Sequence, residues 1–265
     1  MTTRRSRLLA LAAALFLPFA VTASAAEPDT VPVPEAVETR EIVFDLGIGA
    51  QVQPKFPTSD EYEVVPYPLI RLRFLRLPVI GDVVTGREKA FSIYPSFGFN
   101  GERSSTAAPY LAGLPDVDFA VELGGGMSYR VGNFRIFAEL RRGVSGHDGF
   151  VGEAGVDAII SPFERLEFRA GPRIGFADDE YMDTYFGVDT ATAFLPAYSP
   201  GSGIKDVGLA AEATYRLTER VLLHGRAGFT TYVGDAADSP ITERGNTSEG
   251  TVGVGITYRF GFDFF

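Results

Sequence analysis

The sequence contains no cysteine and only two histidines in 265 residues. The lack of thiols excludes disulfides, thiolate metal sites, cysteine nucleophiles and a lipid anchor on an N-terminal cysteine. It also suits a chain that crosses an oxidising compartment before it folds. Beyond Ala26 there is no apolar run long enough to span a bilayer as a helix, which needs about 20 residues. Basic residues are in the minority: 24 Lys and Arg stand against 34 Asp and Glu, a net charge of −10. A nucleic-acid partner is therefore not expected.

What is present is glycine and ring: 30 Gly, 22 Phe and 11 Tyr, with 45% hydrophobic residues. That composition suits strands and tight turns. It suits helices poorly, since glycine there costs about 1 kcal/mol against alanine.

The chain opens with Arg4, Arg5 and Arg7, then an apolar run from Leu8 to Val21, then Thr22-Ala23-Ser24-Ala25-Ala26. This is the order of a secretory signal peptide, residues 1–25, cleaved after Ala25 or Ala26. A membrane anchor or a buried helix is the competing reading of the same run. Without the leader arginines the net charge falls to near −13. Residues 26–41, with Pro28, Pro32 and Pro34 among acids, read as a flexible periplasmic lead-in.

From Ile42 the pattern is strict alternation. In Leu166–Ala177, Leu166, Phe168, Ala170, Pro172, Ile174 and Phe176 share one phase, and Glu167, Arg169 and Arg173 share the other. A strand turns successive side chains to opposite faces, so each such segment has an oily face and a polar face. Ten segments follow this rule: 42–53, 63–75, 90–101, 118–130, 133–141, 150–160, 164–177, 204–217, 219–232 and 250–264. Most reach the roughly 9–11 residues that cross a bilayer as tilted strands. Tight turns are expected at Val131-Gly132-Asn133, Ser161-Pro162-Phe163 and Thr218-Glu219. Long polar links are expected at 54–62, 102–117, 142–149, 178–203 and 233–249. Short turns alternating with long loops are what a bacterial outer-membrane barrel shows. The link 76–89 is long for a periplasmic turn and has room for a further hairpin, which would make twelve strands. The expected fold is thus all-β: a closed antiparallel transmembrane β-barrel of about ten strands over residues 42–265. A soluble sandwich is the alternative, with shorter strands and its charges in water.

In a barrel the polar phase faces inward. It contains Asp45, Arg71, Arg73, Glu122, Arg130, Arg135, Glu139, Arg141, Glu153, Asp157, Glu167, Arg169, Arg173, Glu212, Arg216, Arg226 and Arg259. A ten-stranded lumen is narrow, so these side chains are expected to interlock as a salt-bridged plug. A small polar pore is the competing reading.

The connecting segments carry a resemblance. Pro54 to Pro68, including Ser59 and Asp60, resembles the first loop and second strand of the MipA/OmpV family of outer-membrane proteins. So do Ser145-Gly146-His147 with Gly149, Tyr181 to Val188 with Tyr185-Phe186-Gly187, and Tyr198 to Gly203. Gly234 to Ile241, with Asp238-Ser239-Pro240, and Tyr258-Arg259-Phe260 complete the set. Phe56 and Thr58 depart from it, standing where the family pattern has tyrosine and glycine, and Gly261 to Phe265 extend past its usual end. The resemblance implies an outer-membrane barrel that acts as a non-enzymatic scaffold joining a murein hydrolase to a synthase. Its surroundings would be the outer membrane and lipopolysaccharide. Oligomeric state stays open.

Catalytic motifs are sparse, and neither cofactor nor metal is expected. His147 stands beside Ser145 and Asp148, and His224 lies on a strand in the inward phase. An outer-membrane lipid hydrolase built on either is the least favoured reading, because sequence neighbours seldom form a triad. Gly124-Gly125-Gly126 lacks the lysine and helix of a phosphate loop. Asp178, Asp179, Glu180 and Asp183 match no defined calcium loop. Asn246-Thr247-Ser248 matches a glycosylation sequon by accident.

Overall fold

The structure is a computed structural model that describes residues 42–77, 81–84 and 91–262, without the side chains of Tyr67 and of residues 72–84. The expected leader and lead-in, the Arg73 side chain and the closing Phe264-Phe265 lie outside what is described. Eleven strands form one antiparallel sheet: β1 (Ile42–Pro54), β2 (Tyr62–Leu77), β3 (Gly81–Val84), β4 (Phe91–Asn100), β5 (Ala120–Val131), β6 (Phe134–Ser145), β7 (Phe150–Phe163), β8 (Leu166–Ala177), β9 (Gly203–Arg216), β10 (Val221–Tyr232) and β11 (Ser248–Phe262). The order across the sheet is β3-β2-β1-β11-β10-β9-β8-β7-β6-β5-β4. Ten strands are long, and the short β3 occupies part of the link 76–89. First and last strands pair, from Ile42 opposite Phe262 to Val52 opposite Val252. Among the described residues no helix is long and apolar enough to cross a membrane.

Burial in the sheet is inverted. Asp45 (0% exposed), Asp157 (2%) and Glu122 (3%) are buried, whereas Val64 (69%), Val254 (64%) and Leu209 (63%) are open. A soluble sandwich would bury the second set, so this wall is built for an apolar surround. Near the Phe262 end, Phe44 stacks on Phe260 and Phe262 at 5.5 and 5.8 Å, and Tyr258 lies 4.8 Å from Phe260. Outward rings grouped at a strand end form the aromatic girdle of a membrane barrel.

Two connections differ from expectation. Ser161-Pro162-Phe163 is not a turn: β7 runs on to Phe163, which pairs with Leu166, and the register slips between Ile160 and Phe163. Proline has no N–H for the ladder, and a bulge lets the strand carry it past. The reversal falls instead at Glu164-Arg165. The link expected over 142–149 also shrinks to 146–149, because β6 continues to Ser145. The turn at Gly132 is as expected, with φ +55°. So is the one at Thr218, whose hydroxyl accepts the N–H groups of Arg220 and Val221. Gly126 lies mid-strand against the Tyr94 ring, which passes 2.6 Å from where its Cβ would stand. Gly126 makes room for that ring, while Gly124 lies against the Leu140 carbonyl of β6.

Candidate functional site

The wall brings the inward charges together by register. Arg135 sits opposite Asp157 and donates to it at 3.0 Å, while Arg173 from β8 donates to the other oxygen at 2.6 Å. Arg169 sits opposite Glu212 and donates to it at 2.7 Å. The second cation on Glu212 is Arg71, which comes from β2, four strands away along the sheet. Arg141 bridges Glu122 at 2.9 Å and Glu139 at 3.1 Å. Glu139 also accepts from Tyr94 and Ser96 of β4, at 3.0 and 2.5 Å. Near the chain ends Arg259 grips Asp45 with two nitrogens, at 2.8 and 3.2 Å. Glu153 lies 3.5 Å from Arg173, and Glu167 lies 3.8 Å from Arg169. Carboxylates this deep need such partners, since an uncompensated buried charge costs several kcal/mol.

Some of the expected residues have further contacts. Arg130 donates to the Gly132 carbonyl and Arg216 to the Glu164 carbonyl, so both also serve the turns. Arg226 lines a cavity of about 690 Å³ bounded by residues of β1, β2 and β4–β11, the exposed Ile70, Ile93 and Phe97 among them.

The long links were expected to be polar loops, and here the structure corrects the sequence reading. They fold into a cap over one end of the wall. The helix α1 (Asp179–Phe186) starts at Asp178, whose carboxylate accepts the Tyr181 N–H at 3.0 Å. Two short helices follow β10, α2 (Gly234–Ala237) and α3 (Pro240–Arg244). Tyr181, Met182, Tyr185, Phe186, Tyr232 and Ala236 pack into one apolar cluster. Phe56, Leu111, Leu114, Val188, Leu195 and Ile241 form a second. The residues behind the family resemblance are its keystones. The Ser239 hydroxyl donates to the Phe186 carbonyl at 2.6 Å and accepts the Ile241 N–H, capping α3. Gly187 closes α1 through its N–H to Asp183. Pro240 fills the first position of α3, and Asp238 ends α2, with its N–H on the Gly234 carbonyl. Ser59 accepts the Glu61 N–H, while Asp60 faces solvent. Arg103, from the β4–β5 connection, was not anticipated: it is buried and donates to the Tyr185 carbonyl at 3.0 Å. Burial lowers its pKa.

Strain collects in the first loop. Thr58 has φ +75°, the only non-glycine residue with positive φ among those described. Its N–H donates to Glu249 at 2.6 Å, and its carbonyl accepts the Asn246 N–H at 2.7 Å. Asn246, the sequon residue, thus ties the last loop to the first, and its side chain reaches the Ser59 carbonyl at 3.1 Å.

The remaining motifs take structural duties. The Ser145 hydroxyl donates to the Phe119 carbonyl and accepts the Val121 N–H, and it makes no bond to His147. His147 faces Glu122 at 3.3 Å and packs edge-on against Tyr181 and Tyr185. His224 lies between Thr214 and Thr257. The acidic run 178–183 is the start of α1, with Asp179 accepting the Ser202 N–H. No group of three potential metal ligands occurs among the described residues.

Residues 46–260 match the model of the family described as MltA-interacting protein MipA. No curated protein matches. Among solved structures, the chain is similar at 11% identity to the outer membrane protein OprG of Pseudomonas aeruginosa. That likeness covers 84% of this chain and 97% of the other, with a TM-score of 0.27. A likeness to the N-terminal β-barrel domain of OprF from the same organism has 13% identity and a TM-score of 0.30. It covers 65% of this chain and 98% of that one. The Ralstonia pickettii toluene transporter TbuX gives 12% identity over 84% of this chain and 90% of the other, with a TM-score of 0.34. The family match, with the inverted wall, assigns the chain to the outer membrane.

Proposed function

The chain belongs to the MltA-interacting protein MipA family, and from that premise we propose that it serves as a non-enzymatic scaffold in the outer membrane. In this reading residues 1–25 are removed on export and 26–41 trail in the periplasm. Residues 42–265 close into a barrel set among lipopolysaccharide. Closure is supported by the inward charges and by the Arg71–Glu212 pair, which links strands from separate parts of the sheet. An open edge would leave backbone groups unsatisfied in hydrocarbon. The observation that carries the scaffold reading is the obstructed interior: ion pairs knit the inner wall together and a folded cap covers one end. Such a barrel holds a position and presents its periplasmic turns to partners. The family name points to a murein hydrolase as one of them, and a synthase would complete the link.

Cross-linking in intact envelopes, followed by purification of the barrel, is expected to recover a lytic murein transglycosylase. Recovery of none from envelopes that contain the enzyme overturns the reading. Heat-modifiable gel mobility tests closure separately. A second reading, a narrow pore for small solutes, is favoured by the cavity. A conducting purified barrel in planar bilayers would support it, and a silent one would support the plug.

A further inference from the structure

We propose that the cavity is a binding chamber for a small, uncharged, hydroxyl-rich solute of the sugar class. Its volume of about 690 Å³ falls within the roughly 300–1,000 Å³ of ligand pockets. The two sides of the chamber differ. Strands β5–β8, with Arg71 of β2 and Glu212 of β9, contribute the ionic lattice. Strands β1 and β9–β11 add the neutral polar Gln51, Gln53, Thr230 and Thr251 beside the charged Lys205, Asp206, Arg226 and Glu249. Ala210 and Gly228 leave space between these longer side chains.

Charge selects the class of occupant. Seven cationic and seven anionic side chains line the chamber, apart from its histidine, so it carries no net charge. These charges are already committed to one another. Glu212 holds two arginines, Asp157 holds two, Arg141 bridges two glutamates, and Lys205 pairs with Asp206. Glu249 accepts the Tyr232 hydroxyl and the Thr58 N–H. An entering ion would have to displace one of these partners at the cost of a buried, uncompensated charge. A neutral solute displaces only water.

The rest of the lining matches a sugar. Tyr181 and Tyr232, held in the apolar cluster of the cap, close the chamber on that side. The Gln51 and Gln53 amides, joined by one hydrogen bond of 2.7 Å, and the threonine hydroxyls offer both donors and acceptors. Hydroxyl groups, which donate and accept, are served best by such a mixture. The proposal is independent of the scaffold reading: a barrel that captures no murein enzyme can still hold a sugar, and binding does not require conduction.

The test is equilibrium dialysis of the full barrel in detergent micelles against labelled maltose, with unlabelled glycine and chloride as competitors. Saturable binding of one maltose is expected, with no competition from either ion or zwitterion. Gly228→Phe fills the chamber and is expected to weaken binding at least tenfold. A Cβ at this position meets only the Thr251 hydroxyl closely, at 2.9 Å, and that group can rotate. Gln51→Ala, which leaves the space open, is expected to weaken binding several-fold, and it carries the test if the filled variant loses heat-modifiable mobility. No saturable maltose binding, displacement by glycine or chloride, or full affinity in both variants overturns the proposal.

Discussion

The wall and the cap are built from one chain on opposite plans. In the wall, Asp45 and Asp157 are buried while Leu209 and Val254 are open. In the cap, Tyr185 and Phe186 are buried while Asp179, Glu180, Asp235 and Asp238 face outward. The same residue types change sides because the surroundings change. Hydrocarbon outside the wall leaves ions nowhere to go but inward, whereas water above the cap restores the ordinary hydrophobic effect. The two regions therefore rest on different forces, and each can be attacked alone.

The largest effect is expected in the wall. Asp157→Ala leaves Arg135 and Arg173 without their shared carboxylate and should cost about 5 kcal/mol, as breaking buried ion pairs does. The readout is a lower temperature for loss of heat-modifiable mobility. Phe186→Ala should cost about 3 kcal/mol, but in the cap alone. Protease should then cut between residues 178 and 247 while the wall stays heat-modifiable. If both variants weaken wall and cap together, the two regions are one cooperative unit and the contrast fails. Ser239→Ala removes a helix cap and the tie to the Phe186 carbonyl and should cost about 1–2 kcal/mol by the same proteolysis. Thr58→Gly should act the other way. A β-branched residue at φ +75° is strained, and glycine should slow cap proteolysis by about 1 kcal/mol in stability.

pH should separate the regions as well. Burial raises the Tyr181 and Tyr185 hydroxyls above the usual value of 10.0. Their folded values exceed their unfolded ones, so the stability they contribute is complete below about pH 10. It is lost as pH rises through the raised values. Near-UV circular dichroism should show the cap loosening in alkali while strand signal at far-UV wavelengths persists.

The wall was legible because alternation is a local signal. Leu166 to Phe176 declares its faces without reference to any other strand, and Arg135 and Asp157 needed only parity to be placed on one side. Long-range pairings were not legible. Nothing near Arg71 points to Glu212, 141 positions away, since that contact depends on how the wall curves. The cap was missed for another reason: its apolar residues are few and scattered over several loops, so no segment looks like core by itself. A signal was present at Asp178, an N-cap residue followed by acids and by Tyr181, Met182, Tyr185 and Phe186 at helical spacing. The acidic run drew attention to metal chemistry instead. Pro162 misled in a similar way, because proline marks turns and bulges alike.

The pairing of Ile42 with Phe262 makes the connectivity almost circular. A short linker could join these positions, and new termini could be opened at Gly132-Asn133, whose backbone is exposed at a tight reversal. Strand neighbours would be preserved in such a permuted protein while the order of synthesis changed. Strand β11, with Phe260 and Phe262, would then lie inside the permuted sequence. A permutant of this kind would separate what the finished architecture requires from what the order of strand synthesis contributes.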